Sequence, residues 1–133
     1  MLNPESKANL VYMAVPSRLI KDPSDVEKQM DEVTKEGKGP LHPFQALPFA
    51  RYEGGPIEKA RTWEFCLRLV EIADEFWLFG VSHGPLNEMH HAIKLGKPIK
   101  LLLDEFDPNW REYYAEREPK NHILDELLNQ PKT

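Results

Sequence analysis

Ser82, Gly84 and Glu88 follow one another closely, directly after the apolar run Phe76-Trp77-Leu78-Phe79-Gly80. A hydroxyl, a residue without a side chain and a carboxylate on a short turn form a plausible reactive edge. A positioned carboxylate can attack an electron-poor carbon, and the anomeric carbon of a sugar is one such target. Leu86, Met89, Ile93 and Leu95 mark a short helix that Gly96 stops. Glu88 is therefore expected in the first turn of that helix, where the helix dipole favours negative charge and keeps a carboxylate ionised.

Two further segments are expected at the same edge. Pro16-Ser17-Arg18 follows the first apolar run, and the stretch from His42 to Gly55 carries Phe49, Arg51 and Tyr52 among prolines and glycines. Ser82, the helix start behind it and Arg18 can bind an anion, and Gly84 lets a ligand approach the backbone closely. Tyr12 and Phe49 offer faces to a planar ring. Together these groups describe a nucleoside or nucleotide pocket. Against this, turns are rich in Ser and Gly in any case, and an acid in a helix's first turn is a common cap.

Other reactive residue types have plainer explanations. His83, His90 and His91 lie near Glu88, but His90 and His91 are adjacent and face different ways on a helix. No metal site is expected from that spacing, and no cofactor. Cys66 falls on the apolar side of its helix and reads as core. Glu64 and Arg68 are four residues apart, which suits a surface ion pair. Trp110, Tyr113 and Tyr114 read as the aromatic side of a late helix packed on the sheet, with a subunit contact or a lid as the sharper alternative.

The elements that must position these residues are legible in outline. Leu10 to Val15 is a strand ended by Pro16, and Pro23-Ser24-Asp25 begins a helix with Val26, Met30 and Val33 on one side. Leu41 to Gln45 is expected to be a brief second strand, and Ala46 to Pro56 a long functional loop. Ile57 to Ala73 reads as a helix buried along Ile57, Ala60, Trp63, Leu67 and Val70. A strand over Asp74–Gly80, the Gly84 turn, the Glu88 helix and a strand from Ile99 to Leu103 follow. Short helices are expected around Pro108–Tyr114 and Asn121–Leu128. This order predicts a single α/β domain, a small parallel, flavodoxin- or Rossmann-like sheet with helices on both faces. Its core spans about 10–104, with a helical tail over 105–133.

Bulk properties narrow the partners. The 133 residues suffice for one domain, and a net charge of -5 argues against nonspecific nucleic-acid binding. No apolar run approaches the roughly 20 residues of a membrane span. The first residues lack the pattern of a signal peptide, and a single cysteine allows no disulfide within the chain. A cytoplasmic protein acting on a small molecule is expected, with a homo-oligomer left open.

The run Ser82-x-Gly84-x-x-x-Glu88, with Ala92, Gly96-Lys97-Pro98 and the strand beyond, resembles the nucleoside 2-deoxyribosyltransferase-like family. The likeness extends to Tyr12-Met13-Ala14-Val15-Pro16 and to Ala73-Asp74, and covers most of residues 10–104. It implies that Glu88 is a nucleophile forming a glycosyl ester, and that Ser82 helps hold a 5′-phosphate in members using nucleoside monophosphates. It also implies a second carboxylate in the preceding helix. Counting back from Asp74, that place falls near Cys66, with Glu64 the closest acid. The activity implied is transfer or hydrolysis at an N-glycosidic bond; the alternative is a non-catalytic nucleotide-binding module of the same fold. Phosphoribohydrolases called lysine decarboxylase-like rank behind both, because their Pro-Gly-Gly-x-Gly-Thr run is absent.

Overall fold

The computed structural model describes residues 8–47 and 59–128. Strands β1 (Leu10–Ala14), β2 (Gly39–Leu41), β3 (Glu75–Leu78) and β4 (Ile99–Leu101) form one sheet in the order β2-β1-β3-β4. Every pairing is parallel. The described helices are α1 (Pro23–Thr34), α2 (Pro43–Ala46), α3 (Lys59–Ile72), α4 (His83–Lys94), α5 (Leu103–Phe106), α6 (Trp110–Arg117) and α7 (Ile123–Leu128). The chain is thus a small α/β fold. Its strand order reverses between β1 and β3, and ligand crevices in open parallel sheets form at the carboxyl ends of such a pair.

The alternation of β1 and β3 divides the core in two. Tyr12, Ala14, Phe76 and Leu78 face one side and pack with Val70, Leu86, Met89, Ala92, Trp110 and Tyr114. Val11, Met13, Trp77 and Phe79 face the other and pack with Val33 of α1. Both faces of the central strands are apolar, which is why these runs read as continuous rather than alternating.

Local chemistry fixes the ends of the elements. Asp22 accepts from Ser24 N, and the Asp25 carboxylate accepts from Asp22 N, so α1 begins with a reciprocal cap around Pro23. At the far end of α4, Gly96 has a φ of 73°. Lys97 N donates to Ala92 O and Gly96 N to Ile93 O, the paired bonds of a left-handed helix stop. Gly80 is required by closeness: a Cβ there would lie 2.5 Å from Leu19 Cδ1 and 2.8 Å from Pro16 Cγ. That contact lets the chain after β3 lie against the chain after β1.

Several expected boundaries move. The second strand is Gly39–Leu41, with Pro40 tolerated because β2 is a sheet edge, and Pro43–Ala46 is a helical turn. His42 caps that turn, accepting from Phe44 N through Nδ1. The long loop expected from Ala46 lies mostly outside the described residues, as do Phe49 and Ile57. On α3 the buried line is Thr62, Cys66 and Val70, while Trp63 is 36% exposed. Ile93 on α4 and Leu95 just after it are exposed as well, while Ala92 is buried. In each case periodicity gave the helix and part of its buried side, since Val70, Leu86 and Met89 are buried as expected, and missed at Trp63, Ile93 and Leu95. The aromatic group at the end of the domain divides: Trp110 and Tyr114 join the core, and Tyr113 stays half-buried.

Candidate functional site

Tyr12, Ser82, Gly84 and Glu88 line one cavity of about 190 Å³ at the carboxyl edge between β1 and β3. Val15, Pro16, Ser17, Pro43, Phe44, Cys66 and Pro85 complete its wall. The cavity is smaller than the roughly 300–1,000 Å³ typical of pockets for whole drug-sized ligands. Its described part matches a sugar ring better than a complete nucleoside. A Cβ on Gly84 would meet nothing within 4 Å, so the space before that residue is open.

Glu88 lies at the centre of the polar groups. Its side chain comes from the second turn of α4, not the first, because the helix begins at His83. It is buried, and Tyr12 Oη donates to its Oε2 at 2.9 Å. Tyr12 is held flat against Phe76, its partner in strand register, with ring centres 5.5 Å apart. The Cys66 thiol lies beside both Glu88 and Tyr12, with its single proton available to Glu88.

This environment makes Glu88 harder to ionise than expected. Burial pushes the Glu88 carboxyl up to about 7, against the opposing pull of the Tyr12 and Cys66 hydrogen bonds. Desolvation outweighs two neutral donors because neither brings a positive charge. At neutral pH the carboxyl is close to evenly divided between its two forms. Burial also pushes the Cys66 thiol up to about 12, and holds the Tyr12 phenol well above its usual value. Both therefore act as donors and not as nucleophiles.

Arg18 is placed differently from expectation. Its Nη1 and Nη2 donate to the two oxygens of Asp107 at 2.9 and 2.6 Å, and Nη2 also donates to Val81 O at 2.7 Å. The guanidinium lies 4.0 Å from the Tyr113 ring centre. Arg18 is not among the residues lining the cavity. A guanidinium with a carboxylate so near is already neutralised and has little left for an anion.

Glu64 does not line the cavity. Its side chain is 59% exposed and faces Arg61 at 3.4 Å, while Arg68 pairs with Glu71 at 3.1 Å. Two residues further on, Cys66 turns into the cavity. Side chains two apart on a helix differ by about 200° in direction, so only one of the pair can face inward. Cys66 reads as core in the sequence and is buried, yet it also forms the cavity floor. No second carboxylate lines this cavity among the described residues.

Pro43 and Phe44, expected in a strand, form the opposite wall. They are braced by His42, whose Nε2 donates to Gln29 Oε1 at 2.9 Å, since its Nδ1 already accepts from Phe44 N. Burial takes His42 down to about 4, so it remains neutral. The other histidines lie elsewhere: His83 pairs with Glu118 and His91 with Glu71. Among the described residues no three His, Cys, Asp or Glu side chains are grouped to hold a metal ion. No described helix is long and apolar enough to cross a membrane.

Comparison of the chain with protein-family models, curated proteins and solved structures gives no match.

Proposed function

We propose that the chain acts on the N-glycosidic bond of a nucleoside or nucleoside 5′-monophosphate, with Glu88 as the nucleophile. The observation that carries this reading is the buried Glu88 carboxylate, held by Tyr12 Oη at 2.9 Å in a cavity at the strand-order reversal. An ionised carboxylate with no cation beside it among the described residues is reactive, and it stabilises positive charge as that develops on a sugar carbon.

Glu88 attacks the anomeric carbon as the C–N bond breaks, and the bonding electrons leave with the nucleobase. The base takes its proton from water, and the sugar remains as an ester on Glu88. Water, or the nitrogen of a second base, then displaces Glu88, giving hydrolysis or transfer. Tyr12 holds the carboxylate oxygen, and Ser17 and Ser82 offer hydroxyls to the sugar or its 5′ substituent. Gly84 leaves room beside them. This is the chemistry of the nucleoside 2-deoxyribosyltransferase-like family, which the chain resembles in its Ser82–Glu88 run.

A second reading is favoured by the outward-facing Glu64 and by Cys66 in the place of a second acid. In it the protein binds a nucleotide without cleaving it.

The test is a panel of nucleosides and their 5′-monophosphates incubated with the wild type and Glu88→Gln, with released base measured by chromatography. Base release by the wild type alone, and a glycosyl adduct on Glu88 in peptide mass spectra, is the expected result. Binding of nucleotides without release favours the second reading, and neither binding nor release ends both.

A further inference from the structure

We infer that Arg18 and Asp107 are positioning residues, forming a clamp that ties together the two loops carrying the cavity's hydroxyls. Its catalytic consequence rests on the function proposed above; the clamp itself does not.

Asp107 lies between α5 and α6, outside the cavity, yet it is 3% exposed. A carboxylate so deeply buried needs partners that satisfy both its oxygens. Oδ1 accepts from Arg18 Nη1, while Oδ2 accepts from Arg18 Nη2 and from Val81 N at 3.0 Å. Arg18 in turn donates to Val81 O. Four hydrogen bonds thus join three segments far apart in sequence.

The residues beside these anchors are those of the site. Ser17 precedes Arg18 in the turn after β1, and Ser82 follows Val81 at the start of α4; both line the cavity. Glu88 projects from that same α4. Movement of either loop therefore changes the spacing of Ser17, Ser82 and Glu88 around a bound sugar. The Tyr113 ring under the guanidinium and the Gly80 contact with Pro16 and Leu19 close the same assembly from two sides. A two-pronged guanidinium–carboxylate bond fixes direction as well as distance, and a lysine cannot reproduce it.

The experiment has two arms, on the full chain, with Arg18→Met, Arg18→Lys, Asp107→Asn and the Arg18→Met/Asp107→Asn double variant. The first arm needs no ligand and reads amide hydrogen exchange across the clamp. Leu19 N and Ile20 N donate to Pro16 O and Ser17 O within the first loop, each at 3.0 Å. Asp107→Asn should speed exchange at Leu19 and Ile20, and Arg18→Met should speed it at Val81, each about tenfold or more. Perturbation confined to the mutated residue's own segment overturns the clamp.

The second arm reads base release from a free nucleoside and its monophosphate. Misplacing reacting groups by about 1 Å costs on the order of 100-fold. Each single variant should lower kcat roughly 10- to 100-fold for both ligands with KM nearly constant, and Arg18→Lys should not recover it. The double variant should be no worse than the poorer single one, because both remove one device. Multiplying losses, or an Arg18→Met defect only in the KM of the monophosphate, overturns the positioning role. Wild-type protein that neither binds nor cleaves a nucleoside, with exchange still coupled across the clamp, sinks the proposed function and leaves the clamp standing.

Discussion

Glu88 and Asp107 are two carboxylates buried to nearly the same degree at the same end of the sheet, 7% and 3% exposed. Asp107 receives a guanidinium at both oxygens and a backbone amide besides. Glu88 receives a phenol and a thiol, and no positive charge from the described residues. The first is a completed electrostatic unit whose removal harms the fold. The second keeps an unmet demand for positive charge within a cavity, at the expense of stability. A site ready to receive developing positive charge has that character, and a structural ion pair does not.

The comparison breaks most sharply in catalysis. Glu88→Gln keeps shape and one acceptor for Tyr12 but cannot form the ester, so base release should fall by several orders of magnitude. Asp107→Asn should retain one to ten per cent of it, by the misplacement argument above. Chromatographic rates for the two variants side by side decide whether the carboxylates differ as described. Comparable losses would erase the distinction.

Stability should rank them in the opposite order. Removing one partner of a buried ion pair costs about 3–5 kcal/mol, and Asp107→Ala should fall at or below the low end because Arg18 is a third exposed and can return to water. Urea titration measures it.

Glu88→Gln should instead stabilise the protein above neutral pH. The folded carboxyl titrates near 7 and the unfolded one near its ordinary 4.5. Between those values the folded state holds more protons, so wild-type stability falls as pH rises through that window. At pH 8 Glu88→Gln should exceed wild type by about 1–3 kcal/mol, and at pH 4 the advantage should vanish. An advantage that does not vary with pH would mean that Glu88 is not the titrating group.

Tyr12→Phe sharpens the same point more gently. Loss of its bond to the ionised carboxylate should cost about 1.5–3 kcal/mol of stabilisation of that form. The acidic limb of the pH–rate profile should therefore move upward. The smallest effect is expected at Glu64, where Glu64→Ala should change stability by less than about 0.5 kcal/mol and leave base release unchanged. A large loss there would restore it as the second acid.

Much of this arrangement was decided locally, and the sequence carried it. The apolar runs around Tyr12 and Trp77, the stop at Gly96 and the Asp22–Asp25 helix start depend on neighbours a few residues away. Strand, helix and parallel order follow from such patterns. So does the nearness of Ser82, Gly84 and Glu88, which share one turn and one helix. The charge of Glu88 did not follow, because it depends on how completely distant side chains exclude water from the carboxyl. Nor did the full orientation of α3, where Thr62 and not Trp63 lies on the inner side with Cys66. Arg18 and Asp107 are 89 residues apart, and no local pattern marks them as partners. Only the folded chain brings that cation to its anion, and in doing so turns an expected ligand contact into a brace.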